Sequence, residues 1–597
     1  MAGHARLVIA RDRPFVLLDD ARATGAAPAR LYPGPVEVIA ARNVAEVAPA
    51  LERLRAAGKR GLHAAGYLAY EAAAAFEPAV GDLPAPDLPL LWFGLFENYE
   101  EIAPADVPAL LPDPAGAWLG DPRPDIDRAT YADRFARTKA LIEAGDLYQA
   151  NLSWRARVPI AGDPLAAYAR LRATAQAGYG AVVATGEQWL LSLSPELFFA
   201  LDDDRLTARP MKGTARRGAT PDTDRAAAAK LREDAKQRAE NLMIVDLLRN
   251  DVSRVAHGVA VPKLFAVETY PTIHTMTSTI TATLDPKRDA VDVIAALFPC
   301  GSITGAPKIR AIQALAEIEA SSAPRGIYTG AIGRIDADGD AMFNVAIRTL
   351  AMADGETEAV VGAGGGIVAD SVESEEWDEA LAKLAFVSAG APTVDLIETM
   401  AFDPIDGILR LERHLARMKA SALALGFAFD RHDARNELQA ATFRLREAKR
   451  IRLLLARSGA IAIEVAPMPA PVERVEVAIA PLPVASTDYR LRHKTSDRAF
   501  YDDARHESGT FEVLFEADGM LTEGSFTDLF VERDGLLLTP PLAAGLLPGV
   551  LRAELIEDGR AVEAPLTRAD LADGFWIGNA LRGLIHAHVA VAKVEPA

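Results

Sequence analysis

The sequence predicts an α+β protein in two successive parts, and three observations carry that expectation. Alternating runs such as VERVEVAIA (472–480) read as strands, while PDTDRAAAAKLREDAKQRAENLMIVDLLRND (221–251) keeps the spacing of one long helix. Both signals recur along the chain without a fixed-period repeat. Three breaks rich in proline or small residues then partition it, at 103–124, 387–393 and 467–486.

Composition narrows the classes. At roughly 150 residues per domain, 597 residues suggest two to four domains. Half of them are hydrophobic and a quarter charged, so a disordered or fibrous chain is excluded. A formal net charge of −19 without a long basic run argues against nucleic acid and against an anionic membrane surface. The single cysteine, Cys300, excludes an intrachain disulfide and an all-cysteine metal site. The opening MAGHARLVIARDRPF lacks a signal-peptide core, and no run reaches ~18 apolar residues, so a cytoplasmic enzyme is expected.

Taken in order, APADVPALLPDPAGAWLGDPRP (103–124) has too many prolines for a long helix and reads as a surface crossing after an N-terminal subdomain, 1–126. VIAALFPCGSITGAPKIRAIQALAEIEA (293–320) reads as helix, Gly/Pro loop, helix. VVGAGGGIVADS (360–371) reads as an apolar strand entering a glycine loop whose amides can approach an anion. In ESEEWDEALAKL (373–384), Glu376, Glu379 and Lys383 share one helix face. That face suits either a salt-bridged solvent surface or, beside an anion loop, a Mg²⁺ site of few carboxylates. VSAGAPT (387–393) is the expected linker between a central domain, 127–386, and a last one, 394–597. Prolines flank the strand in 467–486, which reads as a hinge within that last domain.

Several motifs then occur together: GDLYQANLS, SPELFF, RPMKGTARRG, AENLMIVDLLRNDVSRV, FPCGSITGAPKIRA, RGIYTGAIG, AIRTL and GAGGGIVADSVESEEWDEALAK. In this order they resemble the chorismate-utilising enzymes over about 127–386, and more weakly over 1–100 through GYLAYEAA. The resemblance implies a chorismate-binding α/β-sandwich with Mg²⁺ on Glu240 and Glu379, and Glu376 reaching the metal's waters. It places Arg348 on a substrate carboxylate, with Tyr328 and the amides of Gly364, Gly365 and Gly366 beside it. Thr304 lines the same pocket in this reading, and Lys383 is a general acid for the departing hydroxyl. Water-using members carry a lysine base where Gln149 stands, so an ammonia-using member is implied. Lys212 matches the lysine that adds covalently to the ring before ammonia enters at C4; the alternative is that it only binds a carboxylate. The family's histidine falls at Thr275, and His274, one place earlier, faces the other way on a strand. Cys300 reads as a buried thiol. With no other cysteine for a glutaminase, ammonia is expected from a separate glutamine amidotransferase subunit.

The last part carries DLIETMAF, HLARMKASALALGF, RHKTSDRAFYD, LTEGSFTDLFV, LLPGVLRAELI and FWIGNALRGLIHA. This order resembles the fold-type IV pyridoxal-phosphate enzymes, a two-subdomain fold that makes a homodimer through this domain an expectation. The resemblance makes Lys494 the Schiff-base lysine, Glu523 the partner of the pyridine nitrogen and Arg417 a phosphate ligand. Gly549, Val550 and Leu551 open a helix whose amides can take the phosphate. Asn579 and Arg582 face substrate, with Thr399 a weaker candidate. Lyase and aminotransferase motifs are not separable here. The fusion favours 4-aminobenzoate synthesis from chorismate for folate. An anthranilate-type synthase joined to an aminotransferase, or a non-catalytic chorismate-binding module joined to an active lyase, are the alternatives.

Overall fold

The computed structural model describes residues 9–270 and 273–590; the chain's first eight residues, on which the leader reading partly rests, lie outside them. The backbone separates into two compact units.

The first unit comprises residues up to Pro112, Asp121–Val158 and Tyr168–Gly390. Its two large sheets are mostly antiparallel meanders. In one, Gln149–Gly162 lies beside Glu358–Ile367, followed by Thr349–Ala353, Gln188–Ser194, Tyr179–Ala184, Phe15–Asp19 and Ala29–Pro33. In the other, Met211–Arg216 and Ile273–Leu284 lead through Leu197–Asp202 and Ala341–Val345 to His63–Leu68 and Leu91–Phe96. Apolar residues of both meet in one core: Val16, Tyr32, Val183 and Leu190 from the first sheet, Tyr67, Trp92 and Ile332 from the second. Helices Val44–Lys59, Ala235–Val252 and Ala290–Leu297 cover the second sheet's other face, setting Leu51, Leu54, Ile244, Leu248 and Ile294 in one cluster with Phe93, Phe199 and Phe343. Burying each such side chain contributes about 1.5–3 kcal/mol.

Strands from 1–126 sit inside both sheets, Phe15–Asp19 pairing with Tyr179–Ala184 and His63–Leu68 with Ala331–Ile335. Position 126 is therefore not a boundary between compact units. The expected long helix is two, Pro221–Glu233 and Ala235–Val252. Asp234 breaks it with extended backbone (ψ 114°) and caps the second helix by accepting from the Gln237 amide.

The glycine run is the clearest departure. Glu358–Ile367 is one continuous strand through Gly362, Gly364, Gly365 and Gly366. Side chains are absent because other groups occupy their places. A Cβ would lie 2.0 Å from the Tyr328 ring at Gly362, 2.3 Å from the Leu152 carbonyl at Gly364 and 2.1 Å from Gln149 Nε2 at Gly366.

The second unit contains Ala391–Ala597 together with Asp113–Gly120 and Pro159–Ala167. Helix Glu373–Ser388 runs into the expected linker, and the division falls at 390–391. One half is a four-stranded sheet, Gly407–Ile408, Leu396–Asp403, Lys449–Leu455 and Ile461–Pro467, packed with helices Leu411–Leu425 and Arg431–Thr442. The other is an eight-stranded sheet in which Arg474–Pro481 lies parallel to Glu512–Ala517 and to Gly583–Val589. The 103–124 stretch is not all surface. Trp118, 1 % exposed, joins the core of the smaller half, where its indole N–H donates to the Leu425 carbonyl (2.7 Å) and its ring meets Phe427 and Tyr489. Among the described residues, no helix is long and apolar enough to cross a membrane.

Candidate functional site

A cavity of about 200 Å³ opens in the first unit. The 211–216 strand brings Lys212 to it, helix Ala235–Val252 brings Glu240, and helix Glu373–Ser388 brings Glu376, Glu379 and Lys383. Tyr328, Arg348, Gly364 and Gly366 also line it. Lys212 Nζ lies 3.2 Å from where a Cβ on Gly366 would be, so the missing side chain makes room for the ammonium group. Burial lowers the lysine's pKa and the Lys383 charge lowers it further, against the pull of Glu240, Glu196 and Glu379.

Lys383 ties the glycine strand to the carboxylate helix, donating to the Gly364 carbonyl (2.9 Å) and pairing with Glu379 (2.9 Å) one turn back. Glu379 is accordingly lowered by Lys383, whereas burial raises Glu240 and Glu376. Ser371 donates to Glu376 at 2.7 Å. Each carboxylate also repels its neighbours, which raises Glu240 further. Among the described residues no three acidic, histidine or cysteine groups already form a coordination cluster. The donor set on one wall is nonetheless all carboxylate oxygen, drawn from two helices and mutually repelling, which suits a hard divalent cation. Arg348 holds a left-handed backbone (φ 50°) and has no carboxylate partner among the described residues; burial lowers its pKa. Arg348 lines the cavity.

Four expected residues are placed differently. Thr304 is fully buried and spends its hydroxyl on the Cys300 and Gly301 carbonyls, so Ser302 and Ile303 line the cavity instead. Gly365 is not on the wall; a Cβ there would approach Glu376 Oε2. Gln149 packs behind Gly366, its buried Oε1 without a hydrogen-bond partner among the described residues. Leu551 belongs to the apolar cluster with Phe530 and Leu555. His274 bonds Asp224 (2.9 Å) and Thr269, while Thr275 donates to the Gly213 carbonyl next to Lys212. Cys300 is buried and its thiol is pushed up to about 12. In this cavity the sequence left a buried carboxylate unassigned. Glu196, in SPELFF, lines the cavity, accepts from Ser302 Oγ at 2.7 Å and is pushed by burial up to about 7. Its signal was a glutamate inside an apolar strand-like run.

The second unit holds a cleft of about 390 Å³. Lys494, Glu523, Arg417, Thr399, Val550, Gly549, Asn579 and Arg582 all line it. Burial and the Arg417 charge push the Lys494 amine down to about 7. Burial pushes Glu523 up to about 7 although Tyr501 donates to it. Arg417 makes a two-pronged pair with Glu398 (2.8 and 2.7 Å) and donates to the Pro548 carbonyl. Burial alone would raise Glu398, but Arg417 and His414 hold it well below the carboxylate range. At Gly549 a Cβ would collide with the Asp528 carboxylate, so the helix that starts at Val550 has a bare entry. Arg450, Arg452, Arg498 and Asp528 line the cleft as well, and sequence spacing did not single them out.

Buried lysines of lowered pKa, each among carboxylates in a cleft, define an enzyme with two candidate active sites. The chain belongs to the chorismate binding enzyme family, whose model matches residues 13–389, and residues 395–589 match the amino-transferase class IV model. It is 42 % identical to aminodeoxychorismate synthase component 1 of Salmonella typhimurium over 270 residues, 45 % of this chain and 58 % of that one. It is 39 % identical to an anthranilate synthase component 1 of Halobacterium salinarum over 277 residues, 46 % and 52 % of the two chains. The matched segment thus spans between about half and three fifths of these curated relatives' length. The structure of anthranilate synthase component I from Streptococcus pneumoniae superposes with a TM-score of 0.53 at 25 % identity, covering 65 % of this chain and 95 % of that one.

Proposed function

We propose that this chain makes 4-aminobenzoate from chorismate and ammonia in two steps, one in each cleft. The observation that carries the reading is Lys212. Its amine, lowered in pKa, lies beside the side-chain-free Gly366 and shares the first cavity with Glu196, whose charge acts on it. Once it has given up its proton, the amine there can add to C2 of the ring while the C4 hydroxyl leaves as water, protonated by Lys383. Ammonia then adds at C4 as the Lys212 nitrogen departs, giving 4-amino-4-deoxychorismate. Glu196, which burial pushes up to about 7, is suited to exchange the proton that Lys212 loses and regains. Arg348, without a carboxylate partner among the described residues, suits a substrate carboxylate with its planar fork. Gln149, packed behind Gly366, has an amide where a base would be needed to activate water, which favours ammonia as nucleophile. Glu240, Glu376 and Glu379 would hold Mg²⁺, which neutralises the ring carboxylate.

In the second cleft, Glu523 would face the pyridine nitrogen of pyridoxal phosphate, with Arg417 and the amides at Gly549 and Val550 at its phosphate. The bound cofactor supplies an electron sink. Lys494 takes the proton from ring carbon C4 and returns one to the departing enolpyruvate, leaving an aromatic ring and pyruvate. Asn579, Arg582 and the neighbouring Arg450 and Arg452 offer cations and an amide to a substrate with two carboxylates. Cys300, buried and barely acidic, is no glutaminase nucleophile, so ammonia would come from a separate amidotransferase subunit.

The test is mass spectrometry of products from chorismate, ammonium and Mg²⁺, with and without pyridoxal phosphate. 4-Amino-4-deoxychorismate without cofactor and 4-aminobenzoate with pyruvate in its presence are expected. 2-Aminobenzoate, or no loss of chorismate, would overturn the reading.

A further inference from the structure

We infer that Tyr501 is a positioning residue that sets the charge of Glu523, and through it the electron-withdrawing strength of a cofactor in the second cleft. The inference rests on the reading of that cleft given above. Tyr501 is 1 % exposed and does not line the cleft, yet its hydroxyl donates to Glu523 Oε1 at 2.6 Å. It lies seven residues after Lys494, on helix Ala499–Ser508, so one short segment carries both the amine and the clamp on its opposing carboxylate.

The ring has little freedom. Phe500 meets it at 4.2 Å between centroids and Phe515 at 5.3 Å, and the Arg498 guanidinium sits 4.6 Å from its centroid. Arg498 is itself held by the Ser525 carbonyl (2.8 Å), just past the end of strand Met520–Gly524 that carries Glu523. Burial and the Glu523 charge keep the phenol far from ionising, so it remains a donor at any physiological pH. A donor fixed at 2.6 Å stabilises the carboxylate over the carboxylic acid. The other groups acting on Glu523 are the Arg498 charge, the Asp528 charge and the Leu547 amide. Removing the phenol therefore leaves Glu523 a stronger base. It would then draw a shared proton from a pyridine nitrogen, make the ring a weaker sink and raise the basicity of the imine on Lys494.

The experiment is a pH titration of the visible absorbance of the full chain reconstituted with pyridoxal phosphate. Tyr501→Phe should move the midpoint up by about one pH unit and lower kcat for pyruvate release with KM little changed. Site-specific 3-fluorotyrosine at 501, the same shape but a stronger donor, should move it down, and this arm stands if the phenylalanine variant does not fold. In a Glu523→Gln background, Tyr501→Phe should leave the midpoint where it is. An unmoved midpoint in the single variants, or an equal shift in the Glu523→Gln background, overturns the inference. Absence of any lysine-linked band in the unmodified chain would instead sink the reading of the cleft.

Discussion

Replacing Trp118 with alanine should remove about 4–6 kcal/mol from the stability of the second unit, although the residue precedes that unit's main segment by more than 250 positions. The indole is buried to 1 % and wedged against Phe427 (5.7 Å), Tyr489 (5.8 Å) and the Arg457 guanidinium (5.2 Å). Deleting a buried tryptophan side chain costs roughly 3–5 kcal/mol in lost transfer energy and cavity. The Leu425 carbonyl, at the C-terminal end of helix Leu411–Leu425, would also lose its indole donor, about 1 kcal/mol more. Against a typical total of about 5–15 kcal/mol, the variant unit would be partly unfolded at growth temperature. The assay is urea unfolding of the full chain, followed by the absorbance of cofactor bound in the second cleft. Trp118→Phe, which keeps a ring but loses the donor, should recover most of the loss. A change below about 1 kcal/mol for the alanine variant would refute the placement of this side chain in the second unit's core.

Further outcomes follow from the two clefts. Lys212→Ala should slow amination at C4 by at least 100-fold or divert nitrogen to C2, read by product chromatography; unchanged formation of the para product would count against the covalent role. Glu196→Gln keeps the Ser302 contact but cannot exchange a proton, so amination should fall steeply while chorismate affinity, measured by calorimetry, holds; equal losses in both would make Glu196 merely structural. Lys494→Ala should abolish the visible band of bound cofactor and leave chorismate amination intact. Because burial pushes the Lys494 amine down to about 7, the rate of cofactor attachment should rise as pH passes through 7 and level off above it. The same shift favours the neutral amine in the fold, so the cofactor-free unit should gain stability as pH climbs from 7 toward the ordinary lysine value. A flat attachment rate between pH 6 and 8.5 would contradict that assignment.

Much of the site was legible in one dimension because its parts are local strings. RPMKGT, ESEEWDEALAK and RHKTSDRAFYD each place chemistry on a short element, and the structure brings Lys212, Glu240, Glu376, Glu379 and Lys383 to one cavity and Lys494, Glu523 and Arg417 to one cleft. What failed was context. A run of glycines looks like a loop when its neighbours are unknown; here it is a strand, because Tyr328, Leu152 and Gln149 fill the space where side chains would stand. Thr304 looks like a cavity residue until the Cys300 and Gly301 carbonyls claim its hydroxyl.

The sequence by itself determined the alternation of strand and helix, the two successive sets of motif strings and the residue types that carry charge, since these depend on neighbours within a turn or two. Tertiary structure alone decided that residues 113–120 belong with 391–597, that Glu196 lines the same cavity as Lys212, and that Tyr501 grips Glu523. Those pairings join distant positions through burial and hydrogen bonds, and period or propensity carries no record of which far segment will supply the partner.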